Sequence, residues 1–129
     1  MIVIRETPIP YVRQTRADAW KKRPAVLKYR AYRDAVRMKA NGYKPQDGEI
    51  IHFYLPMPKS WSKKKRAEMS GKLHKQKPDL DNLAKAFWDC FGEDSHLSSV
   101  TLAKFWTPSE EGQIQVSLDG DDGKVYNNN

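Results

Sequence analysis

The sequence predicts one small α+β domain, with two to three helices on a β-sheet. Three observations lead there. Alternating apolar and polar residues mark strands at 1–6, 50–55 and 113–118. Apolar residues at 3,4 spacing mark helices at 25–40 and from 82 to about 91. No repeat and no domain boundary is visible, and 129 residues suffice for one modest core.

Taken in order, residues 1–6 form a first strand that Pro8-Ile9-Pro10 closes. Residues 11–23 are polar and basic, with Tyr11, Arg13, Arg16, Trp20, Lys21, Lys22 and Arg23. They read as a loop that stays mobile until something binds. Pro24 suits the first position of a helix, where its missing N–H would lack a partner anyway. Over 25–40, Tyr29, Tyr32 and Val36 share a face flanked by Val26, Ala35 and Ala40, while Arg30, Arg33 and Arg37 share another. That Arg stripe fits a solvated face or a phosphate-facing one. Asn41-Gly42 stops the helix and Pro45 reinforces the stop.

The second strand, 50–55, sets Ile51, Phe53 and Leu55 on one face and Ile50, His52 and Tyr54 on the other, before Pro56-Met57-Pro58. A helix is expected within 60–70, with Ser62 as N-cap and Lys63, Lys64, Lys65 and Arg66 in its first turn. Four cations there oppose the helix macrodipole, which makes sense if an anion sits among them. Residues 71–77 form a second basic loop that includes His74, Lys75 and Lys77. Asp81 or Asn82 caps the next helix, whose buried stripe is Leu83, Ala86, Phe87 and Cys90. Gly92 ends it. Glu93-Asp94-Ser95-His96 then turns into a strand at about 97–106, and 113–118 is expected to pair with that strand as a hairpin. The tail 119–129 is rich in Gly, Asp and Asn and is expected to be disordered, so the domain spans 1–118.

Composition narrows the function. Mean hydropathy is −0.82, and no stretch is apolar for long enough to span a bilayer. Arg5-Glu6 interrupts the N-terminus before a signal-peptide core could form, and Cys90 is the single cysteine. A cytoplasmic protein without disulfide, cysteine-built zinc site or membrane attachment is expected. The net charge is +7 and unevenly spread. Residues 11–78 carry 19 Lys/Arg against 5 Asp/Glu, a net +14, and residues 79–129 carry 3 against 10, a net −7. A basic half of that size, interleaved with aromatic residues, points to nucleic acid. Arg13, Arg16, Lys21, Lys22, Arg30, Arg33, Lys63, Lys64, Lys65, Arg66, Lys75 and Lys77 are the phosphate-contact candidates.

Against that background the carboxylates of Lys77-Pro78-Asp79-Leu80-Asp81-Asn82, with Lys85 and then Glu93-Asp94, need a reason. Negative charge suits a DNA-contacting surface when a metal ion lies between it and the phosphate. In an extended segment, Asp79 and Asp81 point to one face. Lys85 lies one helical turn beyond Asp81. If the strand after Asp94 pairs beside Asp79, three hard oxygen ligands converge in a set that suits Mg²⁺ or Mn²⁺. Lys85 could stabilise developing charge or orient the attacking water. The competing interpretation is helix capping, since acids are favoured at helix N-termini. Phosphatases and sugar transferases also use D-x-D. The chain is short for a sugar transferase, and no apolar strand runs into D-x-D as a HAD-type phosphatase requires. His52, His74 and His96 have no ligand spacing. Trp61, Trp88 and Trp106 read as packing or interface residues, whereas Trp20, in a basic loop, is the better platform for stacking a base.

The run Lys77-Pro78-Asp79-Leu80-Asp81-Asn82-Leu83-Ala84-Lys85-Ala86-Phe87 followed by Glu93-Asp94 resembles the signature of the RusA family of Holliday junction resolvases, small endodeoxyribonucleases common in bacteriophages and prophages. The resemblance covers roughly residues 1–118. It implies an α+β fold with a mixed sheet and a homodimer that binds four-way DNA junctions and nicks two strands of like polarity with Mg²⁺ or Mn²⁺. It also implies catalytic, metal-holding aspartates at Asp79, Asp81 and Asp94, with Glu93 the alternative to Asp94, and a catalytic lysine at Lys85. Two other classes compete with this: a non-catalytic architectural DNA binder whose acids only cap a helix, and an RNA-binding module. No RNP1-like strand or GXXG loop supports the last.

Overall fold

The computed structural model describes residues 1–18, 23–92 and 96–118. In chain order these form β1 (Ile2–Ile4), α1 (Pro24–Ala40), β2 (Glu49–Pro56), α2 (Lys63–Met69), α3 (Leu80–Asp89), β3 (Val100–Thr107) and β4 (Gln113–Leu118). The strands make one mixed sheet in the order β1-β4-β2-β3. The fold is thus α+β, with three helices and a four-stranded sheet among the described residues.

Local sequence explains most of these elements. Pro24 starts α1, and Asn41 and Gly42, both at positive φ, stop it. Its buried residues are Val26, Tyr29, Tyr32, Val36 and Ala40, one stripe at helical spacing. In β2, Ile51, Phe53 and Leu55 alternate inward with Glu49, which is 1% exposed and accepts 2.8 Å hydrogen bonds from the Tyr43 hydroxyl and the Gln46 N–H. Ser62 caps α2 by accepting the Lys65 N–H at 3.2 Å. Leu83, Ala84, Ala86 and Phe87 turn the inner face of α3 into the sheet, between β2 and α1. Burying a side chain such as Phe87 or Leu83 contributes roughly 1.5–3 kcal/mol over leaving it exposed. Cys90 caps the end of α3 as a core residue, and burial pushes its thiol up to about 12.

α1 and α3 cover one face of the sheet. Across the seam between them, Asp89 accepts from the Tyr29 hydroxyl at 2.7 Å and from Arg33 Nη1 at 3.3 Å. The opposite face carries His52, Tyr54 and Phe105 in a half-buried cluster, with ring centroids 5.0 Å apart for His52–Phe105 and 5.4 Å for Tyr54–Phe105.

Several expectations change. β3 and β4 are not a hairpin: β3 runs parallel to β2, and β4 lies antiparallel between β1 and β2. The strand with the strongest apolar stripe, β2, takes a central place, and the chain from 57 to 99, carrying α2 and α3, makes the long crossover that a parallel pair needs. The turn after β3 then passes over the end of β2 instead of folding straight back. β1 is shorter than 1–6. β3 begins at Val100 because Ser98 and Ser99 donate their N–H groups to Asp47, at 2.6 Å and 3.1 Å. The 71–77 segment is not a free loop. It pairs with the outer edge of β3 through the Leu73–Phe105 bridge, with Gly71 N–H to Trp106 O at 3.0 Å and Trp106 N–H to Lys72 O at 3.0 Å. That pairing covers an edge strand. The tail expected at 119–129 lies outside the described residues.

Candidate active site and nucleic-acid interface

The D-x-D segment lies where the covered edge of the sheet hands over to α3. Asp79, and neither Asp81 nor Asn82, is the N-cap residue, with φ −65° and ψ 141°. Asp81 sits in the first turn, so the two acids span a helix start and not an extended stretch. The occupant of the cap position does not cap: Asp79 makes no side-chain capping hydrogen bond. Its nearest ionic partner among the described residues is Lys77, 4.0 Å away and 90% exposed. Asp81 is exposed, and no described ion pair joins it to Lys85 one turn along. The Lys85 ammonium lies over the Tyr11 ring instead, 4.9 Å from its centroid. Tyr11 is itself fixed, donating its N–H to Asn82 O at 3.1 Å and meeting Tyr29 edge-on at 5.8 Å. Pro10, Lys77, Pro78, Asp79 and Asn82 line an open cavity of about 470 Å³. The exposed carboxylate of Asp79 in its lining, with Asp81 and a tethered lysine on the helix that follows, suits a hard cation and a phosphate group.

Asp94, third in the expected acidic set, lies outside the described residues, as does Glu93. Among the described residues no group of three or more His, Cys, Asp or Glu is close enough to hold a metal.

One residue near the acids was missed. The Lys104 ammonium donates to the Pro78 carbonyl at 2.5 Å and to the Gln76 carbonyl. Partial burial holds its pKa below the usual lysine value, while Asp79 pulls it back up. The signal was present in the sequence: Val100, Leu102, Lys104 and Trp106 alternate on one face of a strand, so a lysine occupies an apolar row.

The basic candidates sort by what holds them. Arg33 is committed to Asp89 and lies over the Tyr29 ring at 5.5 Å. Arg30 holds the side chain of Gln14 at 2.9 Å. Lys65 covers the Trp61 ring at 4.3 Å, and Arg66 donates to Pro58 O at 3.1 Å. Arg13, Arg16, Lys63, Lys64, Lys75 and Lys77 are exposed. Lys75 and Lys77 sit on the strip leading directly to Asp79. Lys21, Lys22 and Trp20 lie outside the described residues. His74, from the second basic loop, is packed inside. It is 5% exposed and stacks on Trp106 at 3.7 Å, and burial, then the nearby Lys104 charge, lower its pKa.

The described residues of 11–23 carry an ordered set of hydrogen bonds around Asp18. Asp18, 1% exposed, accepts from Arg23 Nε at 2.6 Å and Nη2 at 2.8 Å, and from the Thr15 N–H at 2.7 Å. Arg23 also donates to Arg13 O at 3.2 Å. The Arg23 guanidinium, then the Thr15 N–H, hold the Asp18 carboxyl well below the usual carboxylate range.

Fold and site describe a small α+β protein with exposed carboxylates at the edge of a basic surface, an arrangement compatible with a protein that acts on phosphodiesters. Residues 6–118 match the family model described as Endodeoxyribonuclease RusA, and the chain belongs to that family of endodeoxyribonucleases. It is also 31% identical over 110 residues to a Bacillus subtilis (strain 168) protein named "Uncharacterized protein YqaN", a match covering 74% of this chain and 75% of that protein. No solved structure matches it. No helix among the described residues is long and apolar enough to cross a membrane.

Proposed function

We propose that this chain is a structure-selective endodeoxyribonuclease that resolves Holliday junctions and other branched DNA by paired symmetric nicks, as a Mg²⁺-dependent homodimer in the cytoplasm of a bacterial or phage-infected cell. Mn²⁺ substitutes for Mg²⁺. The observation that carries this reading is the exposure of Asp79 and Asp81 at the start of α3 with no capping hydrogen bond from the Asp79 side chain. An acid at the cap position that served only as a cap would accept one of the first N–H groups of the helix, and Asp79 does not. Hard, exposed carboxylate oxygens fit Mg²⁺. Asp79 and Asp81, with Asp94 as the third ligand, would hold the ion. When bound, it supplies Lewis-acid polarisation of the phosphodiester and a water of lowered pKa.

The chain's own residues do the rest. Lys85, anchored over Tyr11, offers a fixed cation that offsets charge developing on the phosphate. Lys75 and Lys77 hold the strand on the approach to Asp79, while Arg13, Arg16, Lys63 and Lys64 contact more distant phosphates. These contacts fix register and read shape more than base sequence. Two identical sites related by a two-fold axis would meet strands of like polarity, which accounts for paired nicks.

The test is Asp79→Asn and Asp81→Asn, each assayed for junction cleavage, junction binding and thermal stability. Cleavage is expected to fall by about 100-fold or more, since losing even a supporting group of a metal site costs about 10- to 100-fold. Binding should persist or tighten, because repulsion of phosphate is removed. Unchanged cleavage with lowered stability would instead mark the two acids as helix stabilisers.

A further inference from the structure

We propose that Lys104 is a positioning residue for the acidic site, holding from the inner face of β3 the backbone that presents Asp79. The inference rests on the nuclease reading above. Lys104 is in register with Phe53, and Leu102 with Ile51, so it belongs to the face that packs under the helices. Phe53 and Ile51 are fully buried there, and Trp106, next in the row, is 4% exposed. A cation in such a row is costly unless its donors are satisfied.

They are satisfied by the chain that leads into the D-x-D segment. The ammonium donates to the carbonyls of Gln76 and Pro78, and the Lys104 carbonyl accepts the His74 N–H at 2.9 Å. Three hydrogen bonds therefore tie one residue of β3 to the strip 74–78. The Pro78 carbonyl belongs to the peptide unit that carries the nitrogen of Asp79. Holding it fixes where the Asp79 side chain leaves the backbone and where α3 begins. Lys77 and Lys85 do not duplicate this role, since Lys77 is 90% exposed and Lys85 is held on Tyr11. Without the ammonium, two converging carbonyls would lose their shared donor and separate.

The experiment compares full-length wild type, Lys104→Met, Lys104→Gln and Lys104→Arg. Mn²⁺ binding is followed by electron paramagnetic resonance, junction cleavage over a Mn²⁺ series, and folding by circular dichroism. Lys104→Met is expected to remain folded and to bind junctions in EDTA as wild type does. Its Mn²⁺ midpoint and its cleavage at subsaturating metal should worsen by about 10- to 100-fold, the range seen when a group that orients a metal ligand is lost. Excess Mn²⁺ should restore much of the rate, and Lys104→Arg, which keeps charge and donors, should recover most of the affinity. Lys104→Gln carries the same expectation should the Met variant fail to fold. Wild-type midpoint and rate in the neutral variants would overturn the proposal. So would a deficit that excess metal does not relieve and that Lys104→Arg shares in full, because that is a packing defect. A wild type that neither binds Mn²⁺ nor cuts junctions would sink the nuclease reading itself, an outcome visible without any variant.

Discussion

Asp79 and Asp18 show how one residue type serves two ends here. Asp79, exposed at a helix start, makes no capping hydrogen bond and only a 4.0 Å contact with the exposed Lys77. Asp18, buried, spends both oxygens on Arg23 and Thr15. The second arrangement carries a pH signature. The Asp18 carboxyl is held below its ordinary value of 3.8, so the folded protein binds that proton less readily than the unfolded chain does. Its stabilisation is full above that value and drains away as pH falls below it. Asp18→Asn should therefore lower the thermal midpoint at pH 7, with the gap to wild type narrowing as pH drops toward 3. A gap that stays constant or widens on acidification would show that the ion pair does not order the basic segment.

At the scale of elements, the turn between β3 and β4 decides the topology. It has to cross the end of β2 closely, and Gly112 makes the crossing possible. A Cβ there would sit 2.3 Å from the Tyr54 carbonyl oxygen and 3.0 Å from Pro8 Cδ. The Gly112 N–H also donates to Thr7 Oγ1 at 2.8 Å, joining the turn to the segment after β1. Gly112→Ala forces backbone apart and should cost about 1–3 kcal/mol in denaturant unfolding, as overpacking does. Gly48→Ala makes a useful contrast: its Cβ would meet open space, and the penalty there comes from a φ of 81° alone.

Elements with local punctuation could be read from the sequence. Pro24 and Asn41-Gly42 bracket α1, Ser62 caps α2, and strict alternation marks β2. The pairing of β3 could not be read, because a long crossover and a short turn decide it together. The start of α3 stayed open between neighbouring residues that all cap well, and the side-chain hydrogen bond that would distinguish them is missing from Asp79. In the site, Asp79, Asp81 and Lys85 were legible as a motif. Lys104 stood out as a lysine in an apolar row, but its partners did not, because they are backbone carbonyls 26 and 28 positions away that sequence does not display.

Across the whole molecule, the basic and acidic halves of the chain are folded together rather than kept apart. The strip that carries Lys75 and Lys77 is the last of the basic half, and it runs along the edge of β3 directly into Asp79, first of the acidic half. In the proposed function, positive potential would gather a phosphate backbone along this strip and lead it to the carboxylates. The α1–α3 seam and the Tyr11 contacts fix Lys85 against the same end. As proposed above, this junction of charge is a metal-dependent site for branched DNA. The most direct measurement is cleavage of a labelled four-way junction beside a matched linear duplex, in Mg²⁺, Mn²⁺ or EDTA, with wild type and Asp81→Asn. Paired nicks in the junction alone, dependent on metal and lost in Asp81→Asn, are the predicted result. Tight junction binding without cleavage under any metal, unchanged in Asp81→Asn, would contradict it and leave an architectural DNA binder whose acids only stabilise α3.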